Sequence, residues 1–229
     1  MASQRLSVLS VIANNSCTWN DILENLLENN SNQSYCVIEE QSDSYIGGCF
    51  LVKVFHNQTQ YNITEGRFET VPYEQTQILK FDIFISSGSM MLWGNKKIST
   101  LFVTALEQAS RRTLVIDFMS TDYKSILRRL IPLQNVSFIR MKIIDVIIDH
   151  GIIANCSVNL TNQENRIQLI KKYMDSISQI TVQLGDDSMS VSMTIYSSGS
   201  VVVFKDRADI PGELIDMIAI VVEGGNKNG

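Results

Sequence analysis

Two stretches decide the fold: FDIFISSGSMMLWGNKKISTLFVTAL from Phe81 to Leu106, and SMTIYSSGSVVVFKDRADIPGELIDMI from Ser192 to Ile218. Each reads as a strand, the tetrapeptide Ser-Ser-Gly-Ser, an apolar strand, a short polar turn and a helix. The copies stand 111 residues apart (Ser86 to Ser197), close to half of the 229-residue chain. Self-similarity at a long period implies duplicated architecture. Gly accepts positive φ and the small hydroxyl residues permit a tight reversal, so the tetrapeptide has a mechanical reason to turn. Two unrelated hairpins would share the turn alone; here both flanking strands and the following helix agree as well.

Outward from the repeat, Leu6–Ile12 alternates as a strand. Thr18 opens an amphipathic helix with Ile22, Leu23, Leu26 and Leu27 on one face, and Asn29–Ser34 ends it. Tyr45–Phe55 is expected as a strand with a bend or bulge at Gly47-Gly48, followed by a polar loop from His56 to Gly66. Ile98–Ala109 is expected as a helix, Thr113–Phe118 as a strand and Tyr123–Ile131 as a helix closed by Pro132. Ser137–Ile153 is a β-branched run expected as one long strand. Asn162–Ile177 keeps a helical period. Gly185 to Ser188 is a turn signal between strands Ile180–Leu184 and Met189–Tyr196. Pro211 opens the last helix, through Ile220.

This order resembles the TATA-box-binding protein (TBP) family. That resemblance rests on Ser86-Ser87-Gly88 with Met90–Leu92 and Gly94, and on Tyr196, Ser198-Gly199 and Val201–Val203. The strand MKIIDVIID from Met141 looks like the one opening the family's second half. The fold class implied is α+β: a pseudo-duplicated saddle, a curved antiparallel sheet with helices on its convex face. The implied domains are 1–110, a half-repeat carrying an insertion at Tyr35–Gly66; 111–135, an inter-repeat insertion; 136–222, the second half-repeat; and 223–229, a polar tail. By the resemblance, Ile85, Tyr196 and Phe68 fall where the family inserts phenylalanines into DNA. Ser7 and Asp145 fall on its central asparagines, and Trp93 and Phe204 replace its Thr before the second glycine. Lys205 replaces that glycine in the second copy. An Asp facing phosphate-lined DNA is unfavourable, so the fold carries over better than the TATA-binding chemistry.

The chemistry of other classes is missing from the motifs. There is no HExxH, GxSxG or GxxxxGK, and the two histidines, His56 and His150, lie far apart. Asp145, Asp149 and His150 read as a strand end and turn, and Cys17, Cys36, Cys49 and Cys156 lack zinc spacing. No enzyme, metal, cofactor or small-molecule substrate is expected. The basic doublets Lys96-Lys97, Arg111-Arg112, Arg128-Arg129 and Lys171-Lys172 read as solvated helix ends. Asp186 and Asp187 form a hairpin tip and are the candidate partner contact. The net charge of −5 gives no bulk attraction to nucleic acid or anionic membrane. No apolar run reaches the length of a membrane span. Without a signal peptide and with scattered cysteines, an intracellular setting (the nucleus or another site of transcription) with free thiols is expected. The function expected is a divergent TBP-like transcription initiation factor that bends double-stranded DNA from the minor groove. The alternative is a TBP-like scaffold for a transcription-factor or other protein partner that has lost DNA binding.

Overall fold

The computed structural model describes residues 3–13, 18–118, 122–149, 152–186 and 189–223. The chain is α+β, with antiparallel sheets and, among the described residues, five α-helices. It divides into two compact units: Ser10–Asp117, here the first unit, and Met1–Leu9 with Phe118–Gly229, the second.

The first unit contains α1 (Trp19–Glu28), β2 (Ser34–Gln41), β3 (Tyr45–Asn62), β4 (Arg67–Phe84), β5 (Ser89–Trp93) and α2 (Lys96–Ala109). Strand β1 (Gln4–Ala13) precedes them, and β6 (Leu114–Phe118) follows. Strands β2 to β5 pair antiparallel in chain order. Helix α1 starts on a capping box: Thr18 Oγ1 accepts from the Asp21 backbone at 3.2 Å, and the Asp21 carboxylate accepts from the Thr18 backbone at 3.0 Å. Those Thr18 hydrogen bonds hold the Asp21 carboxyl below its ordinary value. Helix α2 is capped by Asn95, whose side chain accepts from the Ile98 backbone at 3.1 Å. Ile22, Leu23 and Leu26 of α1 and Ile98, Phe102 and Leu106 of α2 are buried. Phe102 lies against Phe81 and Phe50, with ring centroids 4.5 and 5.3 Å away. The helices therefore cover the face that carries Phe50 and Phe81.

The second unit contains α3 (Tyr123–Leu130), β7 (Val136–Asp149), β8 (Ile152–Asn159), α4 (Arg166–Lys172), β9 (Ile177–Gly185), β10 (Ser190–Tyr196), β11 (Val201–Val203) and α5 (Gly212–Glu223). Its strand order is β8–β7–β9–β10–β11, all antiparallel. Gln4 to Leu6 of β1 close on β11. Alternate residues Val191, Met193 and Ile195 are buried with Ile180, Val182 and Leu184, the two-residue period of a strand covered on one face. Arg129 of α3 donates to the Val221 carbonyl of α5 at 3.2 Å.

Several expectations change. Opposite Gly47-Gly48 the β2 strand carries a β-bulge between Ile38 and Glu40, while on its other side β3 runs on to Asn62 in unbroken register with β4. The stretch read as a loop from His56, and the VPYEQTQ stretch near Phe68, are therefore the two arms of one long ribbon. The glycines also serve packing. A Cβ on Gly48 would stand 2.3 Å from the Val37 carbonyl oxygen and 2.8 Å from the Phe81 ring, and one on Gly47 would stand 2.5 Å from the Tyr45 hydroxyl. The β-branched run from Ser137 is a hairpin, β7 and β8, rather than one strand. The expected helix Asn162–Ile177 shortens to Arg166–Lys172, because Ile177 pairs with Ile143 as the start of β9.

Both Ser-Ser-Gly-Ser hairpins are antiparallel and both lead to a helix, the second through a 3-10 turn at Arg207–Asp209. Gly88 N–H donates to the Ile85 carbonyl and Gly199 N–H to the Tyr196 carbonyl, with Gly φ of 63° and 80°. The closures differ. Phe84 pairs with Ser89, leaving four residues in the first loop, whereas Tyr196 bonds Ser200, leaving three in the second. Ahead of the turn the two copies are thus out of phase by one residue.

Cys36, Cys49 and Cys156 are free thiols. Cys36 pairs with Phe50 and Cys49 with Val37, on opposite sheet faces. Burial pushes the Cys36 thiol up to about 12.

Two predictions follow from this packing. Gly48→Ala is expected to lower stability by ~1–3 kcal/mol through overpacking. Gly212→Ala, with no atom within 4 Å of the new Cβ, is expected to be neutral or to stabilise helix α5 by up to ~1 kcal/mol; urea denaturation reads both. The raised Cys36 value favours the folded state below the unfolded thiol value near 9. That contribution is lost as pH rises from 9 towards 12, at ~1.4 kcal/mol per pH unit. Tyr123, also pushed up to about 12 by burial, adds a loss that starts higher. Urea midpoints measured on both sides of this window are expected to fall with pH, and less steeply in Cys36→Ala.

Candidate nucleic-acid interface

In the second unit the residues between the buried ones form a polar sheet face. Strand pairing sets Arg140 beside Thr181 and Asn159, Thr181 beside Thr194, Thr194 beside Val202, and Val202 beside Arg5. A second row sets Ser157, Lys142, Gln179 and Tyr196 side by side. A third sets Ser137, Gln183 and Ser192, with the Phe204 backbone bonded to the Ser192 carbonyl at 2.9 Å. Hydroxyl and amide pairs hold the face: Thr181 to Thr194 at 2.8 Å, and Gln183 Nε2 to Ser190 Oγ at 2.9 Å. Arg5, Arg140 and Lys142 are exposed, and these three rows contain no carboxylate. Arg5 reaches Ser200 Oγ at 3.5 Å. Such a surface offers cations for phosphate and amides and hydroxyls for base edges or sugars.

Three of the sequence candidates lie on this unit's polar face. Ser7 follows Arg5 by two residues on β1 and is half-buried; Tyr196 is half-buried; Phe204 is exposed. Asp145 is exposed and has φ of 56° in a β-bulge, where Ile144 and Asp145 stand opposite Asn155. Its backbone N–H donates to Asn155 Oδ1 at 3.3 Å. Asp186 is exposed at the β9–β10 turn and its carboxylate accepts from the Met189 backbone at 2.9 Å; Asp187 and His150 lie outside the described residues. Among the described residues no group of three or more His, Cys, Asp and Glu comes together to hold a metal ion, and no helix is long and apolar enough to cross a membrane.

The candidates in the first unit sit differently. Trp93 is wholly buried, and its Nε1–H donates to Asp82 Oδ2 at 2.5 Å. Tyr45 donates its hydroxyl to the other Asp82 oxygen, also at 2.5 Å. Asp82, Met91 and Trp93, on the face turned away from α1 and α2, are all buried, so the Trp93 side chain is core rather than open surface. Ile85 lines an open cleft of about 460 Å³ with Ile46, Ile85's neighbours there being Thr18, Trp19 and Asn20 at the start of α1. The one-residue phase difference explains this: Ile85 continues the helix-covered series Phe81, Ile83, while Tyr196 continues the polar series Ser192, Thr194. Phe68 lies near the tip of the β3–β4 ribbon, stacked edge-on with Tyr61.

Arg5, Arg140 and Lys142 were not singled out from the sequence. The signal for Arg140 and Lys142 was available in FIRMKI, where single cations alternate with buried Met141 and Ile143.

Trp93→Phe removes the donor to a buried carboxylate and is expected to cost ~1–3 kcal/mol. Tyr196→Phe, at a half-open surface, is expected to change stability by under ~0.5 kcal/mol. Denaturant midpoints separate the structural aromatic from the surface one. Comparison of the chain with known protein families and with curated proteins finds no match.

Proposed function

We propose that this chain is a divergent TBP-like protein whose second unit lays the polar face of its sheet on double-stranded DNA. The observation that carries the reading is the gathering of Arg5, Arg140 and Lys142 on one face, among amides and hydroxyls and without a carboxylate, in a chain of net charge −5. The TBP-like saddle is part of the same proposal, supported by the hairpin–helix repeat. Tyr196 and Phe204 supply apolar surface on that face for a base step, where unstacking costs a few kcal/mol that inserted side chains must offset.

The magnitude is modest. Three phosphate contacts give a salt slope of about −2.7 in log K against log salt. Binding of this kind is weak and salt-sensitive, and sequence preference comes from DNA deformability rather than from base reading. A second reading, the protein-interaction scaffold without DNA binding, is favoured by one observation: in the first unit the face away from the helices holds buried Asp82, Met91 and Trp93 instead of an open surface.

Fluorescence anisotropy of duplexes at low and near-physiological salt tests the two. The DNA reading expects binding that weakens with salt. Joint Arg140→Ala and Lys142→Ala should lower affinity about tenfold or more and reduce the slope by ~2. Lys171→Ala with Lys172→Ala, on helix α4, should leave it unchanged. Tyr196→Ala should weaken binding to bent or mismatched duplexes more than to straight ones. No binding at low salt would leave the scaffold reading in its place.

A further inference from the structure

We propose that the β3–β4 ribbon is a homodimer contact, in which two copies of the chain stack their ribbons face to face and antiparallel. This does not rest on the DNA reading.

Beyond Val52, β3 has no pairing with β2, and before Lys80, β4 has none with β5. The remaining arm pairs only with itself, from Lys53–Thr76 to Asn62–Arg67. A two-stranded ribbon alone in water is marginal. Its alternate rungs, continuing from Leu51–Ile78, define an open, mixed face whose large apolar side chains are exposed: Phe55 is 66% exposed, Ile78 55%, Tyr61 54% and Phe68 72%. The same face continues the series of Tyr45, Cys49 and Asp82, away from α1 and α2.

Two properties point to a second copy as the occupant. The first is charge. The rungs of this face carry only Lys53 and Glu74, and these bridge one another at 2.8 Å. A second chain of the same net charge meets no like charge there, and a phosphate polymer finds no unpaired cation. The second property is symmetry. A two-fold axis through the middle of the face sets Leu51–Ile78 on the partner copy's Tyr61–Phe68 rung. It also sets Lys53–Thr76 on the Thr59–Thr70 rung, and Phe55–Glu74 on the Asn57–Pro72 rung. Apolar ends meet apolar ends, as a self-complementary contact requires. The face is roughly 33 Å long at ~3.3 Å per residue and about 10 Å wide. Two copies bury on the order of 700 Å², below the range of standard stable interfaces. The dimer is therefore weak and concentration-dependent.

Sedimentation velocity of the full chain, from low micromolar to high micromolar concentration, tests this. The wild type is expected to shift from monomer to dimer. Phe68→Lys or Ile78→Glu, both at exposed positions, should each weaken the dimer about tenfold or more while circular dichroism stays native. The double variant should regain it, because the new cation and carboxylate are some 30 Å apart along one ribbon and meet only across the two-fold axis. A wild type that stays monomeric throughout, or single variants that dimerise as well as the wild type, would overturn the proposal. So would a double variant no better than the singles.

Discussion

A β-strand repeats every two residues, so one residue more or less in a turn sends the whole preceding strand to its other face. This constraint decides what each half of the chain presents. Both copies use Ser-Ser-Gly-Ser with the same hydrogen bond into the turn and the same left-handed glycine. The first closes with four loop residues and the second with three. After the turn the copies agree: Met90 and Leu92 bury as Val201 and Val203 do. Before it they disagree, and Phe81 and Ile83 correspond in facing to Met193 and Ile195 rather than to Ser192 and Thr194. Side chains that align by sequence, Ile85 and Tyr196, therefore have different surroundings.

Much of the architecture was legible because short-range chemistry announces it. Thr18 marks a helix start through its cap, and the period of Ile22, Leu23 and Leu26 marks the buried side of α1. The ribbon was not legible, because its distal half is Asn, Gln and Thr with few apolar residues. Its register comes from an unbroken backbone ladder and from cross-strand pairs such as Tyr61 with Phe68. The β7–β8 reversal was hidden inside a β-branched run. Helix α4 was overextended because Ile177, which fits a helical spacing, serves as the first paired residue of β9. On the site, the cation doublets stand out in the sequence but sit at helix ends and loops. The isolated cations of strands, whose facing needs the bulge between Phe138 and Arg140, were passed over.

The two units also differ in how they treat polar groups on the side away from their helices. In the first, a carboxylate is buried, and burial of an uncompensated charge costs several kcal/mol. Tyr45 and Trp93 bring donors to both Asp82 oxygens, which fixes the Trp93 ring in place and removes it from any surface role. In the second, the buried Thr194 pairs with Thr181, and neutral hydroxyls need no charged partner. Arg5, Arg140 and Lys142 on the same face remain exposed.

Charge distribution then settles how an acidic chain accommodates a basic face. At physiological ionic strength the screening length is about 8 Å, shorter than the span of either unit. Carboxylates elsewhere on the chain thus act weakly on a polyanion lying against Arg140 and Lys142, whereas those cations act at contact distance. The net charge lowers the rate of encounter more than the strength of the contact, since steering is the long-range part and pairing the short-range part. Asp145 is exposed three residues beyond Lys142, held by its bulge next to Asn155. It places a negative charge at the margin of the cationic rows, and on the proposed DNA reading it would limit how far along β7 a phosphate backbone could run.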